Sequence, residues 1–73
     1  MPYDYSALSG EINRQFGTRY NFAKSMGLSE RSLSLKMTGK VDWRQKEIQR
    51  ACQILGIADQ DVVRFFFTLK VQH

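Results

Sequence analysis

The sequence has few residues that could cross-link the chain or bind a metal. It contains a single cysteine, Cys52, so no internal disulfide can form, and a single histidine, His73, at its last position. A Cys/His metal site is therefore excluded, and we expect no cofactor. A small core without such cross-links indicates a reducing compartment or a stability partly drawn from a partner, and we expect a protein of the bacterial host cytoplasm.

Long apolar runs and catalytic constellations are also missing. The longest apolar run, Val62 to Leu69, is interrupted by Arg64 and is far too short to span a membrane, and the N-terminus has no basic-then-apolar signal. No Gly-rich phosphate loop is present, and Asp59 and Asp61 are explained as helix-capping acids. We therefore expect neither a membrane partner nor an enzyme.

What is present is helical spacing divided by glycines. The 73 residues are 42% hydrophobic and 25% charged, which is typical of one globular domain covering residues 1–73. No strand-type alternation is sustained, so we predict an all-α, compact bundle of about five short helices. The expected helices run from about Tyr5 to Phe16, from Thr18 to Gly27, from Ser29 to Gly39, from near Asp42 to Gly56, and from near Asp59 onwards, with no structure predicted from Thr68.

Positive charge is concentrated in the middle of the chain. Residues 14 to 50 hold nine basic side chains against three acidic ones, whereas the remainder holds two basic against four acidic. A basic face of this kind attracts a polyanion such as nucleic acid. The alternative is an ordinary solvated surface, and charge alone does not decide between the two.

The segment from Thr18 to Leu33 meets the requirements of two helices that cross closely through a short turn. Ala23 is small enough for close helix packing, and Gly27, four residues later, tolerates a positive φ. Leu28 supplies an apolar anchor after the glycine, and a serine cap follows it. We predict a helix-turn-helix over about residues 18–38; the alternative is a helical hairpin in which Gly27 is only a C-cap.

This segment resembles the helix-turn-helix of the Cro/C1 (XRE-type) repressor superfamily. The matching positions are Thr18, Phe22, Ala23, Gly27, Leu28, Ser29, Leu33, Ser34 and Gly39. With Trp43, Glu47-Ile48 and Leu55-Gly56, the wider sequence is similar to small phage Cro-like regulators and to the modulator-of-repression antirepressors of temperate phages. The resemblance implies a lambda-repressor-like fold. One departure is Lys36, which stands where the superfamily buries an apolar residue, so we expect Met37 to take over that anchoring role.

The resemblance implies a phage transcriptional regulator that binds double-stranded operator DNA in a lysis/lysogeny switch. The helix from Ser29 to Thr38 would lie in the major groove, with Arg31 on a guanine. Glu30 would accept from a cytosine or brace Arg31, and Leu35 would touch a thymine methyl. The full set of expected DNA contacts, of which Thr18, Arg19, Lys36 and Lys40 would hold phosphates, is Thr18, Arg19, Ser29, Glu30, Arg31, Ser32, Ser34, Leu35, Lys36, Thr38 and Lys40.

Two further predictions concern protein partners. This reading helix offers few base-specific side chains, so we expect a homodimer on two half-sites. Three consecutive phenylalanines project about 100° apart on a helix, so one core face cannot take them all unless the helix is buried nearly all round. The expected interface is Val63, Phe65, Phe66, Phe67 and Leu69. The alternative function has the same fold binding a partner repressor and blocking its DNA-reading face.

Overall fold

The computed structural model describes residues 3 to 71, and within this range the chain forms five α-helices around one core. This confirms the predicted all-α bundle; His73 lies outside the described residues. The helices are α1 (Ser6–Phe16), α2 (Arg19–Met26), α3 (Glu30–Met37), α4 (Gln45–Leu55) and α5 (Val62–Phe66), the last preceded by a 3₁₀ turn at Asp59–Asp61. None of these helices is long and apolar enough to cross a bilayer.

The core is built from the apolar faces that the helical spacing predicts. Helix α2 packs against α1, α3 and α4, and α1 also packs against α5. Phe22 is fully buried, and its ring meets Phe16 of α1 at a centroid distance of 5.4 Å. The buried hydrophobic residues are Leu8, Ile12, Phe22, Ala23, Met26, Leu33, Met37, Ala51, Leu55, Phe65 and Phe66.

The start of α4 differs from the sequence prediction. We expected a start near Asp42, but the helix begins at Gln45. The carboxylate that caps it belongs to Glu47, whose Oε1 accepts the backbone N–H of Arg44 at 2.8 Å. Asp42 stays outside the helix, where its carbonyl accepts from the buried ammonium of Lys36 at 3.3 Å.

The two ends of the described chain lie side by side. The backbone N–H of Asp4 donates to the Thr68 carbonyl at 2.7 Å, and Tyr3 and Leu69 form an isolated antiparallel bridge. The Tyr3 ring meets Phe67 edge-on at 5.8 Å. The segment after α5, for which the sequence predicts no structure, is therefore fixed against the N-terminal segment.

Candidate partner-binding surface

The turn between α2 and α3 is set by backbone geometry at Gly27. This residue has φ 74° and ψ 24°, the left-handed conformation that glycine adopts without penalty. The backbone N–H of Leu28 reaches back to the Ala23 carbonyl at 2.9 Å, and Ala23 is buried where the neighbouring elements pack. Helix α2 therefore stops at Gly27, and the chain starts a new helix three residues later.

Serine and threonine hydroxyls fix the starts of both helices, as predicted. Thr18 Oγ1 accepts the backbone N–H of Asn21 at 3.2 Å at the start of α2. Ser29 Oγ accepts the backbone N–H of Ser32 at 3.0 Å at the start of α3. Each hydroxyl satisfies a backbone donor that has no partner within its helix. The direction of α3 is thus fixed without any contribution from its outward side chains.

The first half of α3 presents polar side chains to solvent. Glu30 and Arg31 are exposed, and Ser32, Ser34 and Leu35 are partly exposed. Arg31 makes no ion pair with any carboxylate of residues 3–71, since the two salt bridges found there join Arg14 to Glu11 and Lys36 to Glu47. A planar guanidinium that is exposed and not engaged within the described chain can bind a carboxylate or a base edge.

The position of Lys36 contradicts one of the predicted phosphate contacts. Its side chain is in the interior, 5% exposed as a residue, and its Nζ lies 3.0 Å from Glu47 Oε1. A buried ammonium is stable only when it is paired, and Glu47 together with the Asp42 carbonyl supplies the pairing. The prediction that Lys36 contacts a phosphate is therefore wrong. Met37 is also buried, so the expected anchoring role of this residue is confirmed.

Glu47 is the residue of this region that the sequence analysis missed. Burial by itself would raise the pKa of its carboxyl. The hydrogen bonds from the Arg44 backbone N–H and the Lys36 ammonium, with the charges of both residues, outweigh burial and lower this pKa below its ordinary value. Glu47 therefore joins α3 to the start of α4 as an ionised carboxylate. The only sequence signal was a glutamate three residues after the true N-cap.

The remaining predicted DNA contacts keep access to solvent. Thr18, Thr38 and Lys40 are exposed, and Arg19 is partly exposed. The Thr38 hydroxyl donates to the Ser34 carbonyl at 3.0 Å, so its proton is engaged within the helix end. These residues and the first half of α3 lie on one continuous stretch of chain, and their contact with DNA stays a prediction.

The predicted interface on the last helix needs a correction. Phe65 and Phe66 are 6% and 2% exposed and belong to the core, so they cannot meet a partner. Two side chains 100° apart fit within one apolar stripe, whereas Phe67 comes after the end of α5 and is 43% exposed. Val63 and Leu69 are exposed as well. A homodimer stays a prediction, now limited to these three residues.

Comparisons with known proteins identify relatives of the whole chain. The family described as "Protein of unknown function (DUF739)" matches residues 1–69. The solution structure of the modulator of repression of the temperate bacteriophage TP901-1 from Lactococcus lactis is 50% identical in sequence and has a TM-score of 0.82. That match covers 99% of this chain and 97% of the phage protein. No curated protein matches the chain. The resemblance to the Cro/C1 superfamily stays a prediction.

Proposed function

The chain belongs to the DUF739 family, and we propose that it is an antirepressor, a protein that binds a partner repressor and prevents that repressor from binding DNA. The observation that carries this proposal is the similarity, over nearly the full length of both chains, to a phage modulator of repression. The match has 50% sequence identity and covers 97% of that solved chain, so the proposal does not rest on a shared fragment.

The exposed first half of α3 is the proposed contact surface. Glu30 and Arg31 together offer one carboxylate and one guanidinium on a helix that needs neither for its packing. Serines flank them, so the surface is adaptable in hydrogen bonding and carries no fixed base-reading pair such as Asn or Gln. Such a face suits the DNA-reading side of a repressor, where exposed side chains otherwise meet phosphates and base edges.

Direct operator binding is the second candidate. The observation that favours it is the excess of nine basic over three acidic side chains in residues 14–50, with Arg31 and Lys40 both exposed. If the chain bound DNA by neutralising phosphates, the logarithm of its binding constant would fall linearly and steeply with the logarithm of the salt concentration. Capture of a repressor does not require that dependence, so salt separates the two functions.

The test uses the purified full chain, the repressor encoded in the same phage or prophage region, and a fluorescent operator duplex. We expect the chain to form a stable complex with the repressor and to lower the duplex anisotropy by releasing the repressor. The chain alone should leave the anisotropy of the duplex unchanged. Direct, salt-sensitive binding of the chain to the duplex, with no effect on the repressor, would support the second candidate and refute the first.

A single substitution connects this activity to α3. Arg31→Ala should weaken repressor binding at least about tenfold, as expected of an arginine at the centre of an interface, while the melting temperature stays unchanged. The matched control is Arg14→Ala, which removes an exposed arginine from α1. Equal repressor affinity for both variants would show that α3 is not the contact surface.

A further inference from the structure

A cleft of about 550 Å³ lies between the N-terminal segment and the α2–α3 pair. Two cationic side chains line it, Arg19 from the start of α2 and Lys70 from the C-terminal segment. Met37 and the rings of Tyr3 and Tyr5 supply apolar surface. We propose that this cleft receives an acidic side chain of the partner repressor, an inference that rests on the proposed function.

The cleft is a fixed feature because the chain ends that form it are paired. The Tyr3–Leu69 bridge and the hydrogen bond from the Asp4 N–H to the Thr68 carbonyl place Lys70 beside the N-terminal segment. The Tyr3 and Tyr5 rings pack with a centroid separation of 6.4 Å, and the Phe67 ring meets Tyr3 edge-on. A site whose walls are already ordered loses little conformational entropy on binding.

The charge of the lining favours an anion. Its single carboxylate, Asp4, already accepts the backbone N–H of Ser6 at 2.8 Å and the Ser6 hydroxyl at 2.5 Å. Neither Arg19 nor Lys70 forms a salt bridge to a carboxylate within residues 3–71. Two cations therefore line the cleft against one carboxylate, which already accepts two hydrogen bonds.

The apolar part of the cleft lining favours a protein side chain over a DNA phosphate. The lining as a whole is more polar than apolar, and its apolar surface comes from Met37 and the two tyrosines. A glutamate can lay its aliphatic stem against Met37 and a tyrosine ring while its carboxylate meets Arg19 or Lys70. A phosphate has no apolar part to match this surface.

The position of the cleft connects it to the proposed contact surface. Thr38, the C-cap of α3, is part of the lining, and the exposed half of α3 begins at Glu30, about two turns before it. One partner molecule can therefore cover the exposed face of α3 and insert an acidic residue at its end. This adds an anchoring point that neither the α3 sequence nor the basic stretch indicates.

The experiment compares two pairs of charge removals of equal size in the full chain. Arg19→Gln/Lys70→Gln takes two cations from the cleft, and Arg14→Gln/Lys46→Gln takes two from exposed positions on α1 and α4. We expect the cleft variant to bind the repressor at least tenfold more weakly and the control variant to change affinity less than twofold. Thermal melting of both variants establishes that they are folded.

Charge reversal identifies the occupant. Lys70→Glu should lose affinity for the native repressor and regain it with a repressor in which one exposed glutamate or aspartate is changed to lysine. Equal affinities for the cleft and control variants, with the native chain binding normally, overturn the cleft proposal and leave the proposed function standing. Loss of operator duplex binding, with repressor binding unchanged, also overturns it and assigns the cleft to phosphate. Absence of any repressor binding by the native chain refutes the proposed function itself.

Discussion

The two ends of α3 are held in the fold by different means. Its N-terminal end is directed by the backbone, through the left-handed Gly27 and the hydrogen bond that Ser29 Oγ accepts from the Ser32 N–H. Its C-terminal end is held by side chains, because Lys36 and Met37 lie in the interior. The outward-facing side chains at the N-terminal end take part neither in the turn and cap nor in the buried contacts.

Under the proposed function, this difference separates binding from folding within one short helix. Glu30 and Arg31 can change with the partner while the turn and cap still direct the helix. Residues of the last turn are not free in this way, since Lys36 requires a carboxylate from another helix. A binding surface can therefore diverge at one end of α3 while the other end keeps the domain stable.

The largest effect is expected from a substitution that removes the ion pair at the C-terminal end of α3. Glu47→Ala leaves the Lys36 ammonium buried with only the Asp42 carbonyl as a partner and removes the acceptor of the Arg44 N–H. We expect the free energy of unfolding to fall by about 3 kcal/mol, as for other buried pairs that lose one member. Urea unfolding followed by circular dichroism measures this change.

Two further variants show whether the charge or the packing is responsible. Glu47→Gln keeps an acceptor for the Arg44 N–H and should cost about 1–2 kcal/mol, since only the charge is lost. Adding Lys36→Met to that variant should recover most of the loss, because no buried charge remains. If Glu47→Ala proves as stable as the native chain, the ion pair does not hold this end of α3.

The second prediction concerns the N-terminal end. Gly27→Ala places a Cβ in a left-handed backbone position, and no atom lies within 4 Å of that Cβ, so the cost is conformational alone. We expect a loss of about 1–2 kcal/mol. Gly10→Ala is the matched control, because Gly10 lies within α1 with equally open space but without positive φ, and it should gain about 0.5–1 kcal/mol. Opposite signs in thermal melting confirm the comparison, and equal signs contradict it.

The elements whose ends carry local signals are the ones that the sequence predicts well. Thr18, Gly27, Ser29 and Gly56 each act within three or four residues of their own position, so their roles are visible in the sequence. The starts of α2 and α3, the stop at Gly27 and the stop of α4 follow from them. The first half of the candidate surface was therefore predictable.

The features that depend on distant pairing were not predictable. Lys36 finds its carboxylate eleven residues later. Its spacing from Leu33 places it on the buried face, but its charge led us to expect a phosphate contact, because nothing near it in the sequence marks Glu47 as its partner. The cleft joins Arg19 to Lys70 through a pairing of the two chain ends, and no local signal marks that pairing. Phe65 and Phe66 share the core because two side chains 100° apart fit within one apolar stripe, and α5 ends at Phe66, before the exposed Phe67.

The smallest expected effect is a pH dependence of stability that distinguishes the two ends of α3. The folded state lowers the pKa of Glu47, so the ionised carboxylate contributes stability above its ordinary pKa, and this contribution is lost as the pH falls through the lowered folded value. The turn and the serine cap contain no titrating group and should be insensitive to the same change. The stability difference between the native chain and Glu47→Gln should therefore be constant from neutral pH to about pH 5 and shrink in stronger acid, as Glu47 becomes neutral.

Taking this difference removes the acid dependence of other carboxylates, which both proteins share. Asp4 and Glu11 also have lowered pKa values, because Ser6 and Arg14 respectively donate hydrogen bonds to them. The difference between native Gly27 and Gly27→Ala should stay flat over the same pH range, since neither residue titrates. If the Glu47→Gln difference also stays flat into strong acid, the Lys36–Glu47 pair contributes no net stability, and the C-terminal end of α3 is held by Met37 alone.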